Sequence, residues 1–252
     1  MSGHSKWSTI KHKKAASDAR RGKIFSKLAR EIMVAARTGG SDPSANITLR
    51  SLLQKARSYN MPADNVERAV KKGTGEGGGA ALEEMTYEGF AVGGVAVIVS
   101  VLTDNRNRSA AEVRHLFSRH GASMASQGSV SRGFARKGRI TVPAAGVEED
   151  RLMELVIDAG GEDLVRDDEG FVITTEPGAF MDVVDALQAA GLAVEESEIT
   201  LVPETTLPVR DRAQASGVLR FIEALEDLDD VQSVCTNLEL DDALAESLAE
   251  EA

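Results

Sequence analysis

Side chains able to bind phosphate are concentrated at one end of this sequence. Lys6, Lys11, Lys13 and Lys14, with His4 and His12, stand in the first fourteen residues around Trp7, the only tryptophan. Arg20, Arg21, Lys23, Lys27 and Arg30 follow on what reads as the first helix. Ammonium and guanidinium groups at this density neutralise phosphates and release their counterions, so attachment to a polyanion would weaken steeply with salt. Trp7 either stacks on a base or anchors the segment against the neighbouring helices. A run of charge is usually a solvated face, but residues 1–75 hold 16 Lys+Arg against 5 Asp+Glu. That excess points to nucleic acid.

The rest of the chain has the opposite sign. Residues 76–139 hold 8 basic and 6 acidic side chains, residues 140–252 hold 5 and 29, and the whole carries −11. A localised positive field attracts polyanions whatever the total charge, and an acidic body turns the basic end toward them. The expected contact set is Lys6, Trp7, Lys11, His12, Lys13, Lys14, Arg20, Arg21, Lys23, Lys27 and Arg30. Arg106 and Arg108, in the polar turn Thr103–Arg108, form a second candidate set. In that turn Asp104 and Asn107 read as helix caps, since a short side-chain oxygen there accepts a free backbone N–H.

Other chemistries find little support. His4, His12, His115 and His120 lack a metal-ligand spacing with cysteine or carboxylate support, and His115 and His120, five residues apart, do not share one helix face. No serine, histidine and carboxylate set suggests a nucleophilic triad. The expectation is no enzyme, no metal and no cofactor. Cys235, the single cysteine, sits in an apolar strand pattern and reads as a buried thiol. With no disulfide pair, no signal-peptide pattern and no apolar run of membrane-spanning length, the expected location is the cytoplasm. A monomer is the default.

Apolar residues make up 42% of the 252, enough for more than one core. Residues 1–14 read as an extended arm. A helix starts near Ala15, with Ile24, Phe25, Leu28, Ile32 and Met33 on one face, and ends at Gly39-Gly40. A second runs from Ser44 to Ser58, with Leu49, Leu52, Leu53 and Ala56 inward. A third follows Pro62 and stops at Gly73, burying Val66, Ala69 and Val70. Gly73 to Gly79 reads as a linker rather than a phosphate loop, because no Gly-Lys-Ser/Thr closes it. Val95–Leu102 reads as a strand, Ala110–His120 as a helix and Ser129–Ala135 as a strand. Residues 139–202 then give strand Arg139–Pro143, helix Glu148–Ala159, hairpin Asp163–Arg166 and Phe171–Thr175, helix Gly178–Ala190 and strand Ala193–Val202. That order, βαββαβ, is ferredoxin-like. A helix from Leu207 and a strand at Val231–Thr236 would complete the interrupted sheet of residues 80–136. The expected fold is α+β in three domains: a basic arm and three-helix bundle (1–78), a discontinuous α/β sandwich (79–137 with 204–238) and an inserted βαββαβ sandwich (138–203). An acidic tail (239–252), a frayed helix or unstructured end, would follow and compete with the arm.

Several motif blocks run along the first half of the chain. They are Gly3-His4-Ser5-Lys6-Trp7 with Ile10-Lys11-His12-Lys13-Lys14-Ala15-Ala16, then Arg21-Gly22-Lys23-Ile24-Phe25-Ser26-Lys27-Leu28, and Asn60-Met61-Pro62-Ala63-Asp64-Asn65-Val66-Glu67-Arg68-Ala69. Thr86-Tyr87-Glu88-Gly89-Phe90, Leu102-Thr103-Asp104-Asn105-Arg106-Asn107-Arg108, Glu112-Val113-Arg114 and Gly128-Ser129-Val130-Ser131 follow in order. Together, to about residue 138, these blocks resemble the YebC family. Two departures are Ala63, where family members often carry lysine, and Arg132-Gly133, where a bulky pair is usual. The resemblance implies three domains and a cytoplasmic DNA-binding transcriptional regulator. It also implies an alternative, because the family is similar to a mitochondrial translational activator of cytochrome c oxidase. Some bacterial members are regarded as ribosome-associated factors that help translation through proline-containing stretches. DNA or ribosomal RNA is the expected partner, with the ribosome on the second reading, and no membrane.

Overall fold

The computed structural model describes residues 18–75, 82–166 and 170–250. Its elements are α1 (Asp18–Gly39), α2 (Ile47–Ser58), α3 (Ala63–Gly73), β1 (Glu83–Phe90), β2 (Ala96–Thr103), α4 (Arg106–Arg119) and β3 (Ser123–Ala125). They continue as β4 (Phe134–Pro143), α5 (Glu149–Asp158), β5 (Gly161–Arg166), β6 (Gly170–Thr175), α6 (Phe180–Ala189) and β7 (Glu196–Pro203). The last are β8 (Leu207–Pro208), α7 (Arg212–Glu226), β9 (Val231–Thr236), β10 (Leu238–Glu239) and α8 (Asp242–Glu250). The chain is α+β, and the described residues gather into two compact units: residues 18–27, 82–135 and 202–250, and residues 28–75 with 136–166 and 170–201.

In the first unit the sheet order is β3-β1-β2-β9. β9 pairs antiparallel with β2, Cys235 opposite Ile98, so the late helix and strand do complete the early sheet. Its central pair, β1 and β2, is an antiparallel hairpin with Tyr87 opposite Val99. The connection order is ββαβ followed by αβ, unlike the inserted sheet. Val97, Val99 and Val101 point into a core closed by Val113, Phe117, Val218, Phe221 and Ile222 of α4 and α7.

Strand β1 escapes the sequence patterns because Glu83, Glu84 and Glu88 interrupt it. Glu88 is buried at 3% exposure. Its carboxylate accepts the N–H groups of Gly128 (2.8 Å), Val130 (2.6 Å) and Ser131 (3.0 Å). This corrects the expected strand Ser129–Ala135. The N–H groups a ladder would need are spent on Glu88, so the chain makes a short 3-10 turn at Ser131–Gly133 before β4 begins. Gly128 enters the turn at φ +85°, a region that costs an L side chain but not glycine. β4 then runs unbroken to Pro143, one strand where a separate start at Arg139 was expected.

In the second unit β5-β6-β4-β7 has the strand order of the βαββαβ pattern, with Ile140 opposite Ile173. Ile140, Leu152, Phe171, Phe180, Val183 and Leu187 form its core. The three helices of the bundle meet through Leu28, Ile32, Leu49 and Ala69, all buried. Leu52, Leu53, Val66 and Val70 are only half-buried. Gly73 is the last residue of α3, and a Cβ there would lie 2.4 Å from the Met33 carbonyl, so its role is close helix approach. Asn46 caps α2 by accepting from Leu49 N–H, and its amide donates to the carbonyls of Ala35 and Gly40. Lys55 pairs with Glu198 on β7, and Arg50 lies 3.9 Å from Asp185 on α6. Burial works against the Lys55 charge, but Glu198 and Glu31 outweigh it and hold its pKa above the ordinary lysine value. Burial, then the Glu196 carboxylate, push the Tyr59 phenol up to about 12.

Residues Asp242–Glu250 form helix α8. α8 buries Ala245 and Leu248 in the first unit's core, and Asp241 caps it through the N–H of Leu244. Leu240, just before it, belongs to the same core.

Candidate nucleic-acid interface

Lys6, Trp7, Lys11, His12, Lys13 and Lys14 lie outside the described residues. So do residues 76–81, which include most of the glycine-rich segment. Arg20 stands in the first turn of α1, and only its backbone is described. Arg21 is exposed and Arg30 half-buried on the same helix.

Lys23 and Lys27 have local partners. Lys23 Nζ lies 3.0 Å from the Asp227 carboxylate and 3.4 Å from the Asp227 carbonyl. Lys27 Nζ donates to the Glu226 carbonyl at 2.7 Å. Both ammonium groups therefore sit at the C-terminal end of α7, where unsatisfied carbonyls and the helix dipole favour positive charge. The amphipathic pattern of α1 placed these lysines on its polar side but gave no sign of this distant partner.

The second candidate pair separates. Arg106 lies 3.5 Å from Glu83 and keeps 64% of its side chain exposed. Arg108 is committed to a network at the start of α4. It donates to Asp104 (2.9 Å) and to Asp230 (2.7 Å), while Ser109 and Thr103 hydroxyls donate to the same Asp230 oxygen at 2.8 and 2.9 Å. Burial raises the Asp230 pKa, but Arg108, Ser109 and Thr103 outweigh it and leave the carboxyl below its ordinary value. The α4 cap is Asn105, which accepts from Arg108 N–H, and not Asp104 or Asn107. Asp104 is drawn off by the Arg108 guanidinium, and Asn107 lies inside the helix, which starts four residues earlier than the Ala110 expected from the apolar spacing.

α2 and α3 are joined by four residues, the length of a helix-turn-helix connection. The solvent face of α3 is poorly suited to reading bases. Asp64 and Glu67 occupy its first half, Lys71 is paired with Glu67 at 2.6 Å, and Arg68 is held by Asn65 and the Asp64 carbonyl. Ala63, at the N-terminal end of this helix, adds no charge.

One contact between helices escaped the sequence patterns: the His120 ring at the end of α4 lies 5.4 Å from the Phe221 ring of α7. Among the described residues no group of three or more His, Cys, Asp or Glu is placed to hold a metal ion. Cys235 is buried on β9. No described helix is long and apolar enough to cross a membrane.

Comparison with known proteins sets this geometry in context. Residues 5–76 match the model of the TACO1/YebC protein N-terminal domain, and residues 82–238 that of the TACO1/YebC second and third domain. A Syntrophobacter fumaroxidans protein named "Probable transcriptional regulatory protein" is 50% identical over 249 residues, covering 99% of this chain and 100% of its own. A Treponema pallidum protein of the same name is 52% identical over 240 residues, covering 95% of this chain and 98% of its own. The crystal structure of a conserved hypothetical protein from Aquifex aeolicus superposes with a TM-score of 0.81 at 47% identity, covering 89% of this chain and 93% of that one.

Proposed function

This chain belongs to the TACO1/YebC family, and we propose that it is a cytoplasmic nucleic-acid-binding regulator that attaches through its basic N-terminal segment. The observation that carries this reading is the segregation of charge, 16 basic against 5 acidic side chains in residues 1–75 and 5 against 29 in residues 140–252. Lys6, Trp7, Lys11, His12, Lys13, Lys14, Arg20, Arg21 and Arg30 make the contacts. Lys23 and Lys27, tied to the end of α7, support the segment and add to its field. The name its relatives bear favours DNA and transcription.

A second reading, a ribosome-associated RNA-binding translation factor, is favoured by α3. A helix whose leading face carries Asp64 and Glu67 is a poor reader of base edges. A basic segment with one tryptophan suits RNA, where phosphate contacts and stacking dominate. The separating experiment is ribosome co-sedimentation of the wild-type chain beside a variant with Lys11, Lys13 and Lys14 changed to Glu. Co-migration lost in the variant supports the translation reading. No wild-type co-migration together with a discrete DNA footprint supports transcription. Neither ribosome nor DNA binding would refute the proposal.

A further inference from the structure

Helix α4 turns a basic face outward. Ser109, Val113, Leu116 and Phe117 are buried, and at about 100° per residue they share one side of the helix. The opposite side is centred on Ala111, with Asn107, Arg114, His115, Ser118 and Arg119 around it, all exposed. Arg114 and Arg119 stand about 140° apart around the axis and so flank Ala111 and Ser118. The short side chains of those two leave the ground between the arginines open to close approach.

The charge on this face is not balanced locally. α4 carries four arginines and one acid, Glu112. Arg106 lies 3.5 Å from Glu83, and Arg108 is held by Asp104 and Asp230. Among the described residues Arg114 and Arg119 have no carboxylate within ion-pair distance, and half-buried Glu112 pairs with neither. Two uncompensated guanidinium groups on one face run against a chain with 40 acidic side chains for 29 basic ones.

The face also belongs to the same unit as the start of the basic segment. Lys23 Nζ lies 3.0 Å from Asp227, and Arg108 lies 2.7 Å from Asp230, three residues further on. α1 and α4 therefore both reach the stretch that follows α7. These pairs neutralise Asp227 and Asp230, and Asp229 is exposed between them.

We propose that the exposed face of α4 is a second nucleic-acid contact, in which Arg114 and Arg119 each take a backbone phosphate. Guanidinium forks match phosphate oxygens, and contacts of this kind position a nucleic acid without reading its sequence. The choice of partner rests on the function proposed above. The contact lies further along α4 than Arg106 and Arg108, whose guanidinium groups already have carboxylates.

The test is the salt dependence of binding by the full chain, with duplex DNA and with single-stranded RNA. Arg114→Gln/Arg119→Gln should have a log–log slope shallower than that of wild type by about 1.8 on duplex DNA or about 1.4 on single-stranded RNA, two phosphates' worth. Arg114→Lys/Arg119→Lys should keep the wild-type slope, because an ammonium still neutralises phosphate as a point charge. Ala111→Glu and Arg151→Gln make the same change in net charge, and Arg151 is exposed on α5 in the other unit. Ala111→Glu should weaken binding and Arg151→Gln should not. All these positions are exposed, and matching thermal melts check that the variants fold. A glutamine variant with the wild-type slope, beside a Lys11→Glu/Lys13→Glu/Lys14→Glu variant with a shallower one, overturns the α4 contact and leaves the proposed function standing. Equal weakening by Ala111→Glu and Arg151→Gln reduces the effect to net charge and also overturns the contact. Wild-type chain that binds neither probe refutes the function and the contact together.

Discussion

Arg108 lies 2.7 Å from Asp230, 122 residues further along the chain, and ties the first turn of α4 to the segment between α7 and β9. The Asp230 side chain is 6% exposed and that of Arg108 is 45% exposed. Asp230→Ala removes the acceptor shared by the Thr103 and Ser109 hydroxyls and one of the two carboxylates that Arg108 holds. It should cost about 2–3 kcal/mol, below the usual range for breaking a buried pair because Arg108 reaches water. Denaturant unfolding measures this. Arg108→Ala should lower stability while leaving nucleic-acid affinity within about twofold, below the tenfold that 1.4 kcal/mol represents. A tenfold loss of affinity would return Arg108 to the binding surface.

Glu88 predicts an acid-side loss of stability. Its buried carboxyl is destabilised by desolvation, but the three N–H groups of Gly128, Val130 and Ser131 outweigh that and lower its pKa below 4.5. A depressed folded value contributes stability that is full above the unfolded value. That stability fades as pH falls below 4.5 and through the lower folded value. Glu88→Gln should cost about 1.5–3 kcal/mol near neutrality, the worth of hydrogen bonds to a charged group. It should also flatten the acid limb of the stability profile. Equal acid limbs in the two proteins would contradict the assignment.

Lys27 predicts a division of labour along the basic segment. Lys27→Ala removes a cation from the end of α7 and should cost about 0.3–1 kcal/mol of stability. Its effect on nucleic-acid affinity should be smaller than that of Lys13→Ala. The reverse order, measured by thermal melts and filter binding side by side, would place Lys27 on the nucleic acid.

α8 predicts that the acidic end cannot be removed without cost. Leu248 is 6% exposed in the first core. Leu248→Ala should destabilise by about 2–3 kcal/mol, within the range for leucine truncation. Deleting residues 239–252 takes Leu240, Ala245 and Leu248 together, so any tightening of nucleic-acid binding in that variant must be read beside its unfolding curve.

What could be read from the residues was mostly periodic. The βαββαβ order showed in alternating Ile140 and Val142, in the apolar stripe of α6 and in the turn residues between β5 and β6. The late αβ pair, which had no partner of its own, pointed back to the early sheet. Side-chain acceptors that replace backbone pairing stayed hidden. Apolar spacing carries no sign that Glu88 organises a turn forty residues away, nor that Asp230 gathers Thr103, Arg108 and Ser109. Capping was misplaced, one residue before Asn105 at Asp104 and two after it at Asn107, because all three are equally suited in isolation; the Arg108 guanidinium draws Asp104 away, and Asn107 falls inside the helix. The basic segment was evident from counting alone. The ring contact of His120 with Phe221 required knowing that α4 lies on α7.

The most direct test of the central claim is salt dependence. The full chain and its Lys11→Glu/Lys13→Glu/Lys14→Glu variant are titrated with single-stranded RNA and with duplex DNA from about 50 to about 200 mM salt. If the basic segment makes the contact, wild-type affinity falls steeply, and the variant's log–log slope is shallower by about 2–3, three phosphates' worth. Wild-type binding that barely changes over this range, or a variant slope equal to that of wild type, would contradict it.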